Sequence, residues 1–208
     1  MIKLIIFDLW KTLAFRDVKY SSTTKMLEVT KVNIPKDKFV KIFEETLQTR
    51  KWKKEESAYK LLCKNMGLKV TKENVSLLMK IRKDAEKKTK LFKYSIKLLK
   101  QLQKAGYKTA LISNTSVFAI EEIKKTKLLD YIDYPIFSFN VGVIKPNKKI
   151  YLEALKKAKC KPKEALMIGD KLIDDVLPPR KLGMNAIHYK GNYEELKKEL
   201  KKFNILVN

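Results

Sequence analysis

The chain has 208 residues, of which 45% are hydrophobic and 34% are charged, and its formal net charge is +24. These values are typical of a globular protein with one domain, or with one domain that carries an insertion. The sequence contains no apolar run long enough to span a bilayer and no secretory cleavage pattern at its N-terminus, which predicts a soluble cytoplasmic protein.

The positive charge is spread along the chain and does not form a tail. It favours an anionic substrate or nucleic acid as a partner, although Lys-rich solvated helices account for most of it. Abundant Lys and scarce Gln are typical of thermophile proteins. Cys63 and Cys160 lie far apart without the spacing of metal ligands, which predicts free thiols.

The first predicted element is a strand over residues 4–7, an apolar run typical of a strand buried on both faces of a parallel sheet. The strand ends at Asp8. Ligands of open α/β sheets bind beyond the carboxyl ends of the strands, so Asp8 occupies the position expected of a catalytic group. An Asp that only caps a turn would give the same pattern.

Residues 15–92 follow helical periodicities, and we predict no strand among them. Pro35 suits the first position of a helix, and Thr71 suits an N-cap. We therefore predict a small all-helical cap over residues 15–92, inserted after the first strand. Residues 1–14 and 93–208 are predicted to form the α/β core.

Strands and helices alternate over the rest of the chain. Strands are predicted at residues 107–112, 134–139, 165–168 and 185–189, with a possible last strand at 205–207. Helices are predicted before Gly106, over 117–125, around 151–155, before Gly183 and from 193. This alternation indicates right-handed crossovers and a Rossmann-like parallel sheet with helices on both faces.

Polar side chains follow four of the strands. They are Asp8 with Thr12, Ser113 with Asn114, Lys145, and Asp170 with Asp174 and Asp175. The carboxyl ends of parallel strands meet at one edge of the sheet, so we expect these groups to converge.

The order of these motifs resembles the haloacid dehalogenase (HAD) superfamily of hydrolases. That family carries Asp-x-Asp-x-Thr after its first strand, Ser or Thr after a second, then a Lys, then Gly-Asp with a further Asp. The matching stretches here are residues 8–13, 112–114, 144–146 and 169–176. The resemblance covers nearly the whole chain, because the helical insertion matches the family's cap, and it implies a HAD-like core.

The resemblance implies that Asp8 is the nucleophile of a covalent reaction. It implies that Lys145 pairs with phosphate and with Asp8. The implied substrate-binding residues are Thr12, Ser113, Asn114 and Trp10. The implied Mg²⁺ ligands are Asp8, the backbone carbonyl of Trp10, Asp170, and Asp175 or Asp174, of which we favour Asp175; such an all-oxygen set suits this hard cation.

Trp10 departs from the phosphatase pattern, because it stands where those enzymes place a second Asp as general acid and base. An indole can only donate a hydrogen bond, and loss of such a group typically costs about 10²–10⁴-fold in rate. Lys11 stands where the family often has Gly or Asn, which predicts an unusual backbone conformation there.

An aromatic residue at the position of Trp10 also resembles the metal-independent 2-haloacid dehalogenases of the family. They share the pair matched by Ser113 and Asn114, and a Tyr matched by Tyr151. They carry Ser at the position of Asp170, however. The retained Asp170 favours a Mg²⁺-dependent phosphatase of a small phosphorylated substrate, with the dehalogenase as the alternative.

A third hypothesis is a weakly catalytic binding module for nucleic acid, suggested by the net charge of +24. The sequence shows no recognition helix or aromatic stacking platform, so this hypothesis ranks last. Arg16, Arg50 and Trp52 are candidate cap residues for substrate contact. His188 lacks the surroundings of a catalytic triad and is predicted to be structural.

Overall fold

The computed structural model describes residues 1–207. Its strands are β1 (Leu4–Phe7), β2 (Ala14–Arg16), β3 (Thr89–Leu91), β4 (Lys108–Ser113), β5 (Tyr134–Phe137), β6 (Ala165–Gly169) and β7 (Asn185–His188). Five of them form a sheet in the order β5-β4-β1-β6-β7, and each neighbouring pair in it is parallel. The predicted Rossmann-like parallel sheet is confirmed, and β1 lies at its centre.

The helices are α1 (Ser22–Thr30), α2 (Lys36–Gln48), α3 (Glu55–Asn65), α4 (Lys72–Glu86), α5 (Ser95–Lys104), α6 (Ile120–Lys125), α7 (Ser138–Val141), α8 (Lys148–Ala158), α9 (Leu177–Lys181) and α10 (Tyr193–Lys201). A π-helical turn, Leu172–Val176, leads into α9. The Thr71 hydroxyl caps α4 by accepting a hydrogen bond from the Asn74 N–H, at 3.2 Å. Gly106, with a φ of +83°, follows the end of α5 as expected of a C-terminal glycine.

Alternate residues of β1 point to opposite faces of the sheet, as the strand period requires. Ile5 and Phe7 pack in one hydrophobic cluster with Leu99 of α5 and Leu196 of α10. Leu4 and Ile6 pack in a second cluster, whose other members include Ile150, Tyr151 and Ala154 of α8. Helices therefore cover both faces of the sheet, and β1 is buried throughout.

Helices α1 to α4, called the cap helices below, pack around a third hydrophobic cluster of their own. Phe39, Phe43 and Leu47 on one side of α2 are buried in it. Leu62 of α3 and Leu78 of α4 complete its centre. The helical periodicity of this segment therefore reflects a separate apolar core beside the sheet.

Two strand predictions were wrong. Residues 15–92 are not purely helical, because β2 and β3 pair as an antiparallel ribbon, with Phe15 opposite Lys90. Each strand of the ribbon has only three residues, too few to show a period in the sequence. Residues 205–207 do not form a strand: the Ile205 N–H donates to the Leu200 carbonyl at 3.1 Å, and the Ile205 side chain is buried after α10.

Two other elements are shorter than predicted: strand β5 ends earlier, and helix α6 starts later. Strand β5 stops at Phe137 because the chain turns there into the short helix α7. Helix α6 starts at Ile120 and not at 117.

Among residues 1–207, no helix combines the length and the apolar character needed to cross a membrane. Cys63 is buried, Cys160 is partly exposed, and both are free thiols.

Candidate active site

Asp8 follows the last residue of the central strand and lies at the carboxyl edge of the sheet. Its backbone N–H donates to the Ile168 carbonyl on β6 at 2.8 Å, which continues the ladder between the two strands. Its side chain is only 8% exposed. The strand therefore delivers a buried carboxylate to the edge where ligands of such sheets bind.

The turn after Asp8 is tight and has an unusual backbone conformation at Lys11, as the sequence predicted. The φ of Lys11 is +62°, in the left-handed region that disfavours residues with a Cβ. The Lys11 N–H donates to the Ala14 carbonyl at 2.7 Å, and the Ala14 N–H donates to the Leu9 carbonyl at 2.8 Å. These bonds fold the chain back, so that Trp10 stays beside Asp8.

Lys145 joins two carboxylates. Its Nζ atom lies 2.6 Å from Oδ1 of Asp8 and 2.6 Å from Oδ1 of Asp175, and its side chain is 4% exposed. Burial alone would lower the pKa of Lys145, but the two carboxylates outweigh burial and raise it above the ordinary value. Lys145 is therefore a buried ammonium group that offsets part of the negative charge around Asp8.

Asn114 holds the backbone of Lys145 in place. The Lys145 N–H donates to Oδ1 of Asn114 at 2.8 Å, and Nδ2 of Asn114 donates to the Lys145 carbonyl at 3.3 Å. This amide was predicted to contact substrate. Asn114 lines the cavity described below, so that prediction stands, and its two hydrogen bonds also hold the backbone from which the Lys145 side chain reaches Asp8.

Asp8, Asp170 and Asp175 form a cluster in which one carboxylate oxygen from each lies within 4.8 Å of the others. Asp175 reaches the cluster because Gly169 has no side chain: a Cβ on Gly169 would lie 2.4 Å from the Cγ of Asp175. The Lys171 N–H also donates to Oδ2 of Asp175, at 3.0 Å. Three converging carboxylates can hold a hard divalent cation.

Asp174 lies outside this cluster, although its sequence position fits the same motif. Its carboxylate pairs with Nζ of Lys171 at 3.2 Å. Its carbonyl accepts a hydrogen bond from the Tyr151 hydroxyl, and Tyr151 is fully buried against the sheet. The π-helical turn thus directs Asp175 inward to the acidic cluster and Asp174 towards Lys171.

Burial dominates the electrostatics of the cluster. It raises the pKa of the Asp8 carboxyl above its ordinary value; Lys145 opposes this shift, and the Asp175 carboxylate reinforces it. Burial and the Asp175 carboxylate likewise raise the pKa of Asp170. A cation bound among these carboxylates would relieve their mutual repulsion.

A cavity of about 630 Å³ opens between this edge of the sheet and the cap helices, and is large enough for a small metabolite. It is lined by Asp8, Trp10, Asn114, Lys145, Asp170, Asp174 and Asp175, among other residues. Thr12 and Ser113 are not among these lining residues. Their hydroxyl oxygens are buried, and neither has a hydrogen-bond partner within residues 1–207.

The three candidate cap residues occupy different places. Arg16 lines the cavity. Arg50 and Trp52 lie elsewhere: the Arg50 guanidinium carbon is 5.2 Å from the Trp52 ring centroid, and the indole N–H donates to the Thr46 carbonyl at 3.1 Å. His188 Nε2 lies 2.9 Å from the Asp170 carbonyl, so its contact supports the backbone beside the cluster.

The sequence analysis missed four charged residues of the cavity, which are Lys36, Glu44, Arg82 and Lys171. Nζ of Lys171 lies 4.0 Å from Oε1 of Glu44, which links cap helix α2 to the loop after β6. Burial raises the pKa of Glu44. The sequence carried no clear signal for Glu44, because adjacent residues of a helix do not share a face and its position after Phe43 does not place it on the apolar side of α2.

Residues 5–189 match the family model of haloacid dehalogenase-like hydrolases. The glyceraldehyde 3-phosphate phosphatase of Pyrococcus furiosus is 37% identical over 109 residues, which make up 51% of this chain and 45% of that protein. The corresponding protein of Methanothermobacter thermautotrophicus is 31% identical over 99 residues, 47% of this chain and 44% of that protein. Each match therefore spans less than half the length of the relative.

Solved structures share the fold over almost the whole chain. A HAD family enzyme from Bacteroides thetaiotaomicron, in complex with magnesium and inorganic phosphate, has a TM-score of 0.69 at 20% identity and covers 94% of this chain and 99% of its own. A 2-haloacid dehalogenase from Pseudomonas syringae has a TM-score of 0.66 at 20% identity, with 98% and 100% covered. Identities this low establish the fold alone. The match to the family over residues 5–189, together with this fold, shows that the chain belongs to the haloacid dehalogenase-like hydrolases.

Proposed function

We propose that the protein is a Mg²⁺-dependent phosphatase of small phosphorylated metabolites that acts through an aspartyl-phosphate on Asp8. The observation that carries this proposal is the convergence of Asp8, Asp170 and Asp175 in the lining of the cavity. Two of these carboxylates, Asp8 and Asp175, are paired with the Lys145 ammonium. Phosphatase relatives of similar sequence support phosphate esters as substrates.

The residues present fit Mg²⁺. Asp8, Asp170 and Asp175 supply carboxylate oxygens within 4.8 Å of one another, and we assign the backbone carbonyl of Trp10 as a further oxygen ligand. Such an oxygen-only set with room for water suits Mg²⁺ better than softer metals. Bound there, Mg²⁺ would supply positive charge against the phosphate dianion. The Bacteroides thetaiotaomicron enzyme of this fold binds magnesium and inorganic phosphate.

The proposed first step is attack of an Asp8 carboxylate oxygen on phosphorus. The new oxygen–phosphorus bond forms as the ester bond breaks, and the leaving oxygen keeps the bonding electron pair and takes a proton from water. Lys145 stabilises the negative charge on the phosphoryl oxygens, and Asn114 keeps Lys145 in position. Thr12 and Ser113 offer hydroxyls without partners in the described chain to the same oxygens. Water then hydrolyses the aspartyl-phosphate and releases phosphate.

Trp10 makes that second step slow, because an indole cannot take a proton from the attacking water. With para-nitrophenyl phosphate, whose leaving group needs no proton, we expect a burst of nitrophenolate followed by a slow steady rate. The substitution Trp10→Asp supplies the missing carboxylate. It should raise the steady rate by at least about 10-fold and remove the burst in stopped-flow traces.

Trp10→Asn is the control for this prediction, since it removes the indole and adds no base. It should keep the burst. A wild-type trace without a burst, or equal steady rates for the Asp and Asn variants, would contradict the role assigned to position 10.

The two neighbouring aspartates provide a matched test of the metal site. Asp175 lies in the carboxylate cluster and Asp174 outside it. Asp175→Asn should weaken Mg²⁺ binding by at least about 10-fold, whereas Asp174→Asn should change it by less than about twofold because it removes a contact to Lys171 only. Titration calorimetry with Mg²⁺ measures both. A larger loss for Asp174→Asn would show that the ligand is misassigned.

The alternative function is a metal-independent 2-haloacid dehalogenase, which an aromatic residue at position 10 in the cavity favours. Asp170 argues against it, because displacement of a halide creates no dianion for a metal to neutralise. Two parallel assays separate the functions: phosphate release from small phosphate esters with Mg²⁺, and chloride release from 2-chloropropionate with EDTA. We expect release of phosphate only. Chloride release in EDTA without any phosphate release would overturn the proposal.

A further inference from the structure

Arg16 is a partly buried cation beside the site. It ends strand β2 and lines the cavity that also contains Asp8. Its Nε and Nη2 atoms are buried, and neither has a hydrogen-bond partner within residues 1–207. Burying a guanidinium whose N–H groups are unsatisfied is costly. A ligand that accepts these hydrogen bonds would account for the arrangement.

Trp10 fixes the direction in which Arg16 can bind. The guanidinium carbon lies 3.5 Å from the centroid of the indole ring. A guanidinium stacked on an aromatic ring keeps the N–H groups at its edge free for hydrogen bonds. Trp10 therefore orients Arg16 within the cavity. Although Trp10 stands where related phosphatases have a second Asp, it has a role of its own in this site.

The charges around Arg16 leave one positive charge unpaired. Arg82 also lines the cavity, but its Nε donates to Oε1 of Glu86 at 2.5 Å, and both side chains are buried. Two guanidinium groups thus face one carboxylate. Gln48 adds a buried Oε1 atom that lacks a partner in the described chain and also lines the cavity. The unpaired guanidinium of Arg16 therefore fits a ligand group that carries a single negative charge.

We propose that Arg16 binds a carboxylate of the substrate, so that the preferred substrates are phosphate esters of small hydroxy acids. A carboxylate is planar and matches the two-pronged edge of a guanidinium. It also carries one negative charge, which balances the one guanidinium that has no carboxylate partner. The inference rests on the proposed phosphatase function and narrows it. A triose phosphate with an aldehyde in place of the acid would leave Arg16 unsatisfied.

The test measures binding and not turnover, so that its failure is separate from failure of the phosphatase assay. The ligands are 3-phosphoglycerate and glycerol 3-phosphate. The first carries a carboxylate at the position where the second carries a CH₂OH group. Both are titrated by calorimetry, with Mg²⁺, into protein that carries Asp8→Asn, which prevents hydrolysis. We expect 3-phosphoglycerate to bind about 10- to 100-fold more tightly, the usual range for a charged hydrogen bond.

Adding Arg16→Gln should remove most of this preference. Adding Arg50→Gln should preserve it, because Arg50 is stacked on Trp52 and does not line the cavity. If Arg16→Gln does not fold, Arg16→Lys serves instead, and should retain only part of the preference since it keeps the charge without the planar edge. Equal affinities of the two ligands for the Asp8→Asn protein, no binding of either, or a preference that survives Arg16→Gln would overturn the inference.

Discussion

Asp8→Asn should lower the rate of phosphate ester hydrolysis by more than about 10³-fold, because an amide oxygen cannot replace the carboxylate as nucleophile. The fold should survive this change. Asn has nearly the same shape, and its carbonyl oxygen can still accept the hydrogen bond that Lys145 now donates to Asp8 at 2.6 Å. Steady-state kinetics with Mg²⁺ and a thermal melt of the same sample provide the two readouts.

Asp17→Asn is the matched control for this substitution. Asp17 also follows a strand, but it is exposed, and its ion pair with Lys90 lies outside the cavity. Its loss should leave the rate within about twofold, because exposed ion pairs contribute little. If Asp8→Asn kept more than a tenth of the activity, another group would have to be the nucleophile.

Lys145→Met should lower the free energy of unfolding of the metal-free protein by about 3–5 kcal/mol. The Lys145 ammonium is the group that bridges the buried carboxylates of Asp8 and Asp175. Removing it leaves both without this cation, whereas Met fills a similar volume. Urea unfolding in EDTA measures the loss. Saturating Mg²⁺ should restore part of it, because a bound cation again offsets the carboxylates.

Lys149→Met is the control, since Lys149 is exposed on helix α8. Surface substitutions of this kind usually change the free energy of unfolding by less than about 0.5 kcal/mol. If the Lys145→Met and Lys149→Met variants were equally stable in EDTA, the buried carboxylates would need no cation. That result would contradict the role of Lys145 in offsetting their charge.

The fold could be predicted from the sequence where the chain repeats a strong local pattern. The apolar run of β1 and the alternation of strands with helices indicated a parallel sheet, and the stripe of Phe39, Phe43 and Leu47 indicated a packed cap helix. The ribbon of β2 and β3 could not be predicted, because three-residue strands carry no period. The Ile205 side chain looked like part of a strand only because a buried helix-terminal residue has the same apolar character.

The sequence could predict the site residues that directly follow the parallel strands, because the carboxyl ends of those strands meet at one edge of the sheet. This reasoning placed Asp8, Lys145 and Asp170 correctly at one cavity. It could not show which of the adjacent residues Asp174 and Asp175 points into the carboxylate cluster, since a shift of one residue in the π-helical turn would exchange them. Nor could it show that the Asn114 amide binds the Lys145 backbone, or that two Arg16 nitrogens lack hydrogen-bond partners within residues 1–207. These facts depend on contacts between segments far apart in the sequence.

The measurement that tests the central claim most directly is the mass of acid-quenched protein after brief mixing with a phosphate ester. With Mg²⁺, the account predicts a peptide around Asp8 that is heavier by one phosphoryl group. The same peptide should be unmodified in EDTA and in Asp8→Asn protein. Two results would contradict a mechanism through Asp8. One is turnover of the ester without a phosphorylated peptide in any sample quenched during the burst. The other is turnover with the phosphoryl group on another residue.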